Sequence, residues 1–377
     1  MSTCTRGPRP STAAPPRSSA PSWPNDSWGC PVADHDDFAS AVDDYLTRSH
    51  TGERRRALLD GGGWDAGLAS ELAGLGWYSL AVPQDRGGIG APPAALGHVF
   101  LVEYGRHLLP GPLLENSLLP ALVEQIVPAA DGTPPALVDP GASVPGDLGS
   151  VAVTGREVVG SVAAVRFAAQ AGVLVVVAGT TVCLVDPDSP GVRIEPLVSA
   201  DPGVAFASVS FDGAVAHTLV TDDGLGDRIR SWGRLLLACE LGGLARGALD
   251  RTVAHVGQRE QFGRPIGGFQ AVKHLVADMS ARSTGLHNLC LAALADAGGA
   301  SPPELDLIAS TAKAHAADAA VRVCEDAIQL HGGMGFTTET DVSWYYRRAL
   351  ALRGWYGDET ELRHHVGAAL LDPERQS

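Results

Sequence analysis

No stretch of this 377-residue sequence approaches the roughly 18 consecutive apolar residues of a membrane-spanning helix, so a span of that kind is excluded. Positive charge is scarce as well. Against 43 Asp and Glu stand 28 Lys and Arg, and a net charge of −15 repels a phosphate backbone. Nucleic acid is therefore not an expected partner, although locally placed cations can still hold an anionic nucleotide. The six cysteines include no CxxC pair and no zinc-type spacing. Cys239, Cys290 and Cys324 fall in apolar helical patterns and read as buried free thiols, which suits a reducing cytoplasm. No nucleophile-elbow motif is present. His364-His365 lacks a third ligand, and adjacent histidines on a helix point in different directions, so no metal site is expected. Residues 1–33 lack the apolar core of a signal peptide and are rich in Pro, Ser, Thr and Arg, which reads as a disordered tail.

What is there is globular: 45% hydrophobic residues and a mean hydropathy of +0.06, in a chain long enough for several domains. Residues 34–128 carry helical spacing, as at Phe38, Val42 and Leu46, then at Leu58, Leu68, Leu72 and Leu75. Gly76–Pro83 followed by Gly87-Gly88 reads as a helix stop and a glycine loop. Residues 129–221 change character to short β-branched runs at Val151–Thr154, Val173–Val177, Val182–Val185, Val192–Ile194 and Val204–Phe211. The Pro/Gly/Ala-dominated stretch 134–150 reads as loop. Residues 222–377 return to helix. Leu235, Ala238, Gly242, Ala245, Leu249, Val253 and Val256 trace one face of a long helix, and Phe269, Val272, Val276 and Met279 open a second. Ala312, Ala316, Ala319, Val323, Ala327 and Leu330 mark a third, stopped at Gly332-Gly333. Glu240 lies in an apolar helix, with Arg246 or Arg282 as its expected partner.

Two segments carry the chemistry. Arg259-Glu-Gln-Phe-Gly-Arg-Pro-Ile-Gly-Gly-Phe-Gln270 joins a forked cation to amides that can donate to phosphate and ribose oxygens. Gln329-Leu-His-Gly-Gly-Met-Gly335 offers a backbone without side chains at Gly332 and Gly333, which a phosphate or ring can approach closely. Each reads equally well as a surface ion pair and a helix cap when taken alone.

In order and spacing, with Phe336, Glu339 and Arg347 after them and Leu75–Gly88 before, these segments resemble the acyl-CoA dehydrogenase family over roughly residues 35–370. The resemblance implies an α+β multidomain fold: an N-terminal helical domain, a middle β-barrel and a C-terminal four-helix bundle enclosing FAD and an acyl-CoA thioester. It implies FAD contacts from Arg259, Gln261, Phe262, Gln270, Gln329, His331, Gly332 and Gly333, and acyl-CoA contacts from Arg234 and Gly357. In that family the flavin contacts reach across a dimer interface to the adenine and pyrophosphate end of a neighbour's FAD. The family is oligomeric, a dimer of dimers, and electron-transfer flavoprotein is the implied acceptor.

The catalytic residue does not follow the pattern. The family's glutamate base, which takes a proton from the acyl Cα while the flavin takes a hydride from Cβ, falls here at Tyr356 or Gly357, depending on the direction of counting. The family's other base location, on the first long helix of the bundle, is Gly233. Tyr356, whose phenol is unperturbed near about 10, is a poor base at neutral pH. Asp358 and Glu359 are the nearest carboxylates in sequence. The family's flavin- and substrate-contacting segment of the middle domain is reduced to Val138–Asp147, and its flavin-stacking strand has no clear counterpart in Val162–Phe167. The chain thus resembles a base-lacking subunit of a heteromeric acyl-CoA dehydrogenase, of the actinobacterial kind that acts on bulky thioesters such as steroid side chains. Three alternatives stay open: a self-sufficient homo-oligomeric dehydrogenase using Asp358, Glu359 or another displaced base, a flavin-dependent monooxygenase or oxidase on the same fold, and a non-catalytic scaffold subunit.

Overall fold

The computed structural model describes residues 33–98, 102–144, 149–337 and 340–371. The expected tail before Ala33, together with Asp147 and Glu339 of the quoted segments, lies outside the described residues.

Short helices come first: α1 (Ala33–Ser49), α2 (Gly52–Asp60), α3 (Ala66–Gly74), the single turn α4 (Ala94–Leu96), α5 (Val102–His107) and α6 (Leu113–Leu122). Thr51 and Asp65 start α2 and α3 by accepting the N–H of Arg54 and Leu68, groups the helix leaves unpaired. In the glycine loop after α3, a Cβ on Gly88 would stand 2.0 Å from the Val82 carbonyl oxygen, so only glycine lets the loop fold back.

Among the described residues, eight strands follow: β1 (Pro135–Val138), β2 (Ser150–Thr154), β3 (Glu157–Arg166), β4 (Val173–Ala178), β5 (Thr181–Val185), β6 (Val192–Leu197), β7 (Phe206–Val215) and β8 (Thr218–Val220). They form two four-stranded sheets, ordered β1-β4-β5-β8 and β2-β3-β7-β6. Val158, Val162 and Val209 of one sheet share a core with Leu174 and Val176 of the other. The stretch 134–150, read above as loop, is partly strand: β1 pairs parallel with β4, and its four residues are all buried. A four-residue strand opening on proline carries little alternation, and only the partner strand reveals it.

The bundle contains α7 (Leu225–Gln258), α8 (Gln270–Ala297), α9 (Pro302–His331), α10 (Val342–Gly354) and α11 (Glu359–Leu371), with a two-residue hairpin, β9 (Glu260–Gln261) and β10 (Arg264–Pro265), between α7 and α8. The stripe on α9 is buried as its spacing predicts, from Ala312 to Leu330. On α7 one position differs: Val253 is 48% exposed, and Thr252 is buried in its place. The Thr252 hydroxyl is satisfied by donating to the Ala248 carbonyl at 2.8 Å, so a polar residue fills the inward position without an unpaired group.

Glu240 does not pair with Arg246 or Arg282. Its partner is Arg348 of α10, whose Nη1 donates to Glu240 Oε1 at 3.0 Å and whose guanidinium also pairs with Asp201. All three are buried, so this cluster ties α7, α10 and the loop before β7 together. Removing one partner of such a buried set costs about 3–5 kcal/mol. Among the described residues, no helix is long and apolar enough to cross a membrane.

Candidate functional site

At the far end of α7 the helix stops at Arg259, whose backbone turns extended and whose N–H donates to the His255 carbonyl at 2.8 Å. The hairpin that follows turns at Phe262 and Gly263, with φ of 55° and 80°. Two consecutive positive φ angles suit a tight hairpin turn, and a phenylalanine there is uncommon. Phe262 is 92% exposed, edge-on to Phe269 at 6.2 Å. Opposite the hairpin, α9 ends at His331 because Gly332 takes φ 60°. A Cβ on Gly332 or Gly333 would meet nothing within 4 Å, so the space over this glycine pair is open.

These pieces surround a cavity of about 500 Å³. Arg259, Gln261, Gln329, His331, Gly332 and Gly333 all line it. Phe262 and Gln270 do not: the first stands out at the hairpin tip and the second is the exposed opening residue of α8. Sequence reasoning missed His255, which lines the same cavity one helical turn before Arg259 and was legible from that i, i+4 spacing. Its ring stacks on His331, with centroids 4.2 Å apart. Burial holds the His255 imidazole below its usual range, and His331 and Arg259 press it lower. Burial likewise lowers His331, opposed by its Nδ1–H bond to the Ala327 carbonyl at 2.7 Å. Among the described residues, the lining contains no carboxylate. In a chain of net charge −15, that wall of one arginine, two histidines, amides and bare backbone is complementary to an anion.

Gly233 and Tyr356, the two positions at which a base was expected, meet in space at the other end of α7. A Cβ on Gly233 would stand 2.3 Å from Cε1 of Tyr356, so the Tyr356 ring fills the notch that Gly233 leaves. The ring is buried, and burial raises its phenol far above the usual range, away from any use as a base. The backbone beneath it is held in a left-handed turn, φ 61° at Tyr356 and 101° at Gly357. Arg234 Nε donates to the Tyr356 carbonyl at 2.9 Å, and Lys313 Nζ donates to the carbonyls of Arg353 at 3.0 Å and Gly357 at 3.4 Å. Lys313 has no exposed surface, and burial lowers its ammonium to about 7. Arg234 is further committed to Asp306 at 2.5 Å, which His365 also bonds.

Neither nearby carboxylate is free. Asp358 Oδ1 accepts the N–H groups of Thr360 and Glu361, both at 2.8 Å, at the start of α11. Glu359 is gripped by both arms of Arg353, Nε donating at 2.8 Å, which holds its carboxyl below the usual range. Both residues border a second cavity of about 530 Å³ between the β-domain and α10, walled by Val144, Ala164, Phe206 and Trp355. Phe206 and Trp355 stack across that wall at 5.2 Å. Arg166, paired with buried Glu115 at 2.6 Å, stands over the Trp355 ring at 5.9 Å. Elsewhere, Asp43, Glu103 and His107 bring ligand-type atoms within 4.8 Å of one another, but Arg106 already bridges Asp43 and Glu103.

Residues 230–371 match the family described as acyl-CoA dehydrogenase, C-terminal domain. The acyl-CoA dehydrogenase IpdE2 of Mycobacterium tuberculosis is 30% identical over 320 residues, covering 81% of this chain and 87% of IpdE2. The chain belongs to the acyl-CoA dehydrogenase family. Acyl-CoA dehydrogenase FadE34 of the same organism is 32% identical over 291 residues, 76% of this chain but only 39% of that longer protein. In solved structures the acyl-CoA dehydrogenase fold recurs in the ChsE4–ChsE5 complex of M. tuberculosis, with a TM-score of 0.81 at 26% identity over 90% of this chain and 98% of that one. That family is one of flavoprotein oxidoreductases.

Proposed function

We propose that this chain works as the base-lacking subunit of a heteromeric FAD-dependent acyl-CoA dehydrogenase, completing a flavin site whose carboxylate base comes from a paralogous chain. The observation that carries the reading is a distance along α7. The anion-complementary cavity at Arg259 and the filled base position at Gly233 stand 26 residues apart in sequence, about 39 Å along a helix. That is longer than one extended dinucleotide. The cavity therefore serves a flavin other than the one this chain's own base position would face.

The residues fit one end of FAD and not the other. Arg259, Gln261, Gln329 and the open backbone at Gly332-Gly333 suit its pyrophosphate and adenine end. At the chain's own base position, the Tyr356 ring occupies the notch. Bound to the pair, FAD would supply the acceptor for a hydride from the acyl Cβ, with the paralogue's carboxylate as the base for the Cα proton, while Arg259, Gln261, Gln329 and the Gly332-Gly333 backbone of this chain would hold and orient its pyrophosphate end. Electron-transfer flavoprotein is the acceptor this reading expects, and a bulky acyl-CoA thioester the substrate. A pairing of named relatives, ChsE4 with ChsE5, supports the two-chain arrangement.

The self-sufficient reading has one observation in its favour, the cavity of about 530 Å³ bordered by Asp358 and Glu359. Flavin content and acyl-CoA dehydrogenation, measured on the chain alone and co-expressed with a paralogue carrying an intact base, separate the two. Low flavin alone and full flavin with activity in the pair is the expected result. Full FAD and robust activity of the chain alone would overturn the proposal.

A further inference from the structure

Within that half-site, which rests on the reading above, the His255–His331 stack calls for a further account. A phosphate oxygen only accepts hydrogen bonds. His331 has its proton on Nδ1, because a carbonyl can only accept and the Ala327 carbonyl lies 2.7 Å away. Its other nitrogen then carries a lone pair and, while the ring is neutral, has no proton to offer an anion. His255 is half-buried, and none of the hydrogen bonds described for the chain involves its ring. It borders the cavity with Arg259 on its own helix and His331 on α9 as the charged or titratable groups beside it. The other walls present Gln261, Ile266, Met334, Thr337 and the glycine backbone, with no carboxylate among the described residues to hold a histidine cation while the cavity is free of an anion. Two rings stacked at 4.2 Å also cannot both carry charge cheaply. Of the two, His255 is the more exposed, so its ring is the better placed to exchange a proton with solvent.

We propose that His255 takes up one proton when a partner chain's dinucleotide pyrophosphate enters this cavity and releases it when the pyrophosphate leaves, with neutral His331 as the plate on which the imidazolium stacks. Protonation turns His255 from an acceptor into a second donor and places a second cation beside Arg259. Cofactor capture by the assembled pair is thereby linked to pH through a residue remote from the chemistry.

The sign follows from linkage. A group that binds a proton more tightly in the complex makes the complex weaker as pH rises, by about tenfold per pH unit between its two titration points. The test uses the complex co-expressed with a base-bearing paralogue and follows FAD release by flavin fluorescence from pH 6 to pH 8. Wild type is expected to lose affinity for FAD as pH rises. His255→Phe keeps the stack and should flatten that profile, and His331→Phe should leave the slope in place. Calorimetry of FAD binding in buffers of different ionisation enthalpy reads the proton directly on the unmodified complex, with uptake approaching one proton expected. FAD affinity equal at pH 6 and pH 8, or no proton uptake, overturns the inference alone. A pair that binds no FAD at any pH overturns the half-site reading on which it rests.

Discussion

Adding one methyl group at Gly233 should destabilise this chain, although Gly→Ala inside a helix ordinarily does the reverse. The ordinary gain is about 1 kcal/mol of helix propensity. Here the new Cβ would stand 2.3 Å from Cε1 and 2.8 Å from Cδ1 of Tyr356, inside any allowed contact. The ring has little room to retreat. Its residue's N–H donates to the Ala142 carbonyl at 3.3 Å, its carbonyl is held by Arg234 at 2.9 Å, and the ring is 3% exposed. Overpacking of this kind costs about 1–3 kcal/mol, so Gly233→Ala should lose up to about 2 kcal/mol net of the propensity gain. In a Tyr356→Ala background the obstruction is gone and the same change should stabilise by about 1 kcal/mol. The four proteins of that cycle, compared by thermal unfolding, should show a coupling of about 1–3 kcal/mol, within the range measured for touching residues. Gly233→Ala that raises the unfolding temperature with Tyr356 intact would refute the placement of the ring. The family's base notch would then be open.

Arg259→Ala should weaken FAD retention by the assembled pair roughly tenfold to a hundredfold, the value of a charge-assisted hydrogen bond of about 1.5–3 kcal/mol, as read by flavin absorbance after dialysis. Unchanged retention would favour a scaffold subunit. Asp358→Asn and Glu359→Gln should each leave dehydrogenation by the pair within a few-fold, since their carboxylates serve a helix cap and an ion pair. A loss of about 10²–10⁴ in turnover, the contribution of a general base, would assign one of them that role. Lys313→Met should remove a pH dependence of stability. Lys313 titrates at about 7 when folded, against 10.5 as its ordinary value, so the unfolded chain binds more protons between those limits. Its contribution to stability is therefore lowest below about 7 and grows as pH rises towards 10.5. Urea unfolding midpoints of wild type and variant that run parallel from pH 7 to pH 9.5 would contradict this.

The order of helices, sheets and helices was legible because each segment's period is local: Ala312–Leu330 repeats at helical steps and Val173–Val177 is an unbroken β-branched run. Arg259 and Gln329 could be matched to one site because their segments carry glycine and amide chemistry in fixed order. What escaped were relations across the chain. Arg348 reaches Glu240 from 108 residues away, where arginines nearer on the same and the following helix looked sufficient. Gln270 and Phe262 belong to the same motif as Arg259, yet Phe262 stands exposed at the hairpin tip and Gln270 exposed at the start of α8, and neither lines the cavity that the motif borders. That Tyr356 and Gly357, and not a carboxylate, stand where the base is expected could be read directly. The ring that fills the space could not, because Tyr356 and Gly233 are brought together only by folding.

The unbroken length of α7 has a mechanical consequence. One residue inserted between Gly233 and Arg259 would swing the far end of the helix by about 100° and advance it by about 1.5 Å. Arg259 would then leave the glycine pair at the end of α9, while Tyr356 stayed seated on Gly233. The helix thus acts as a rigid shaft between two stations, and even an insertion of about seven residues, which nearly restores the rotation, would carry Arg259 about 10.5 Å past the glycine pair. Substitutions can empty one station of its chemistry without disturbing the other, whereas a single insertion would put the two out of phase.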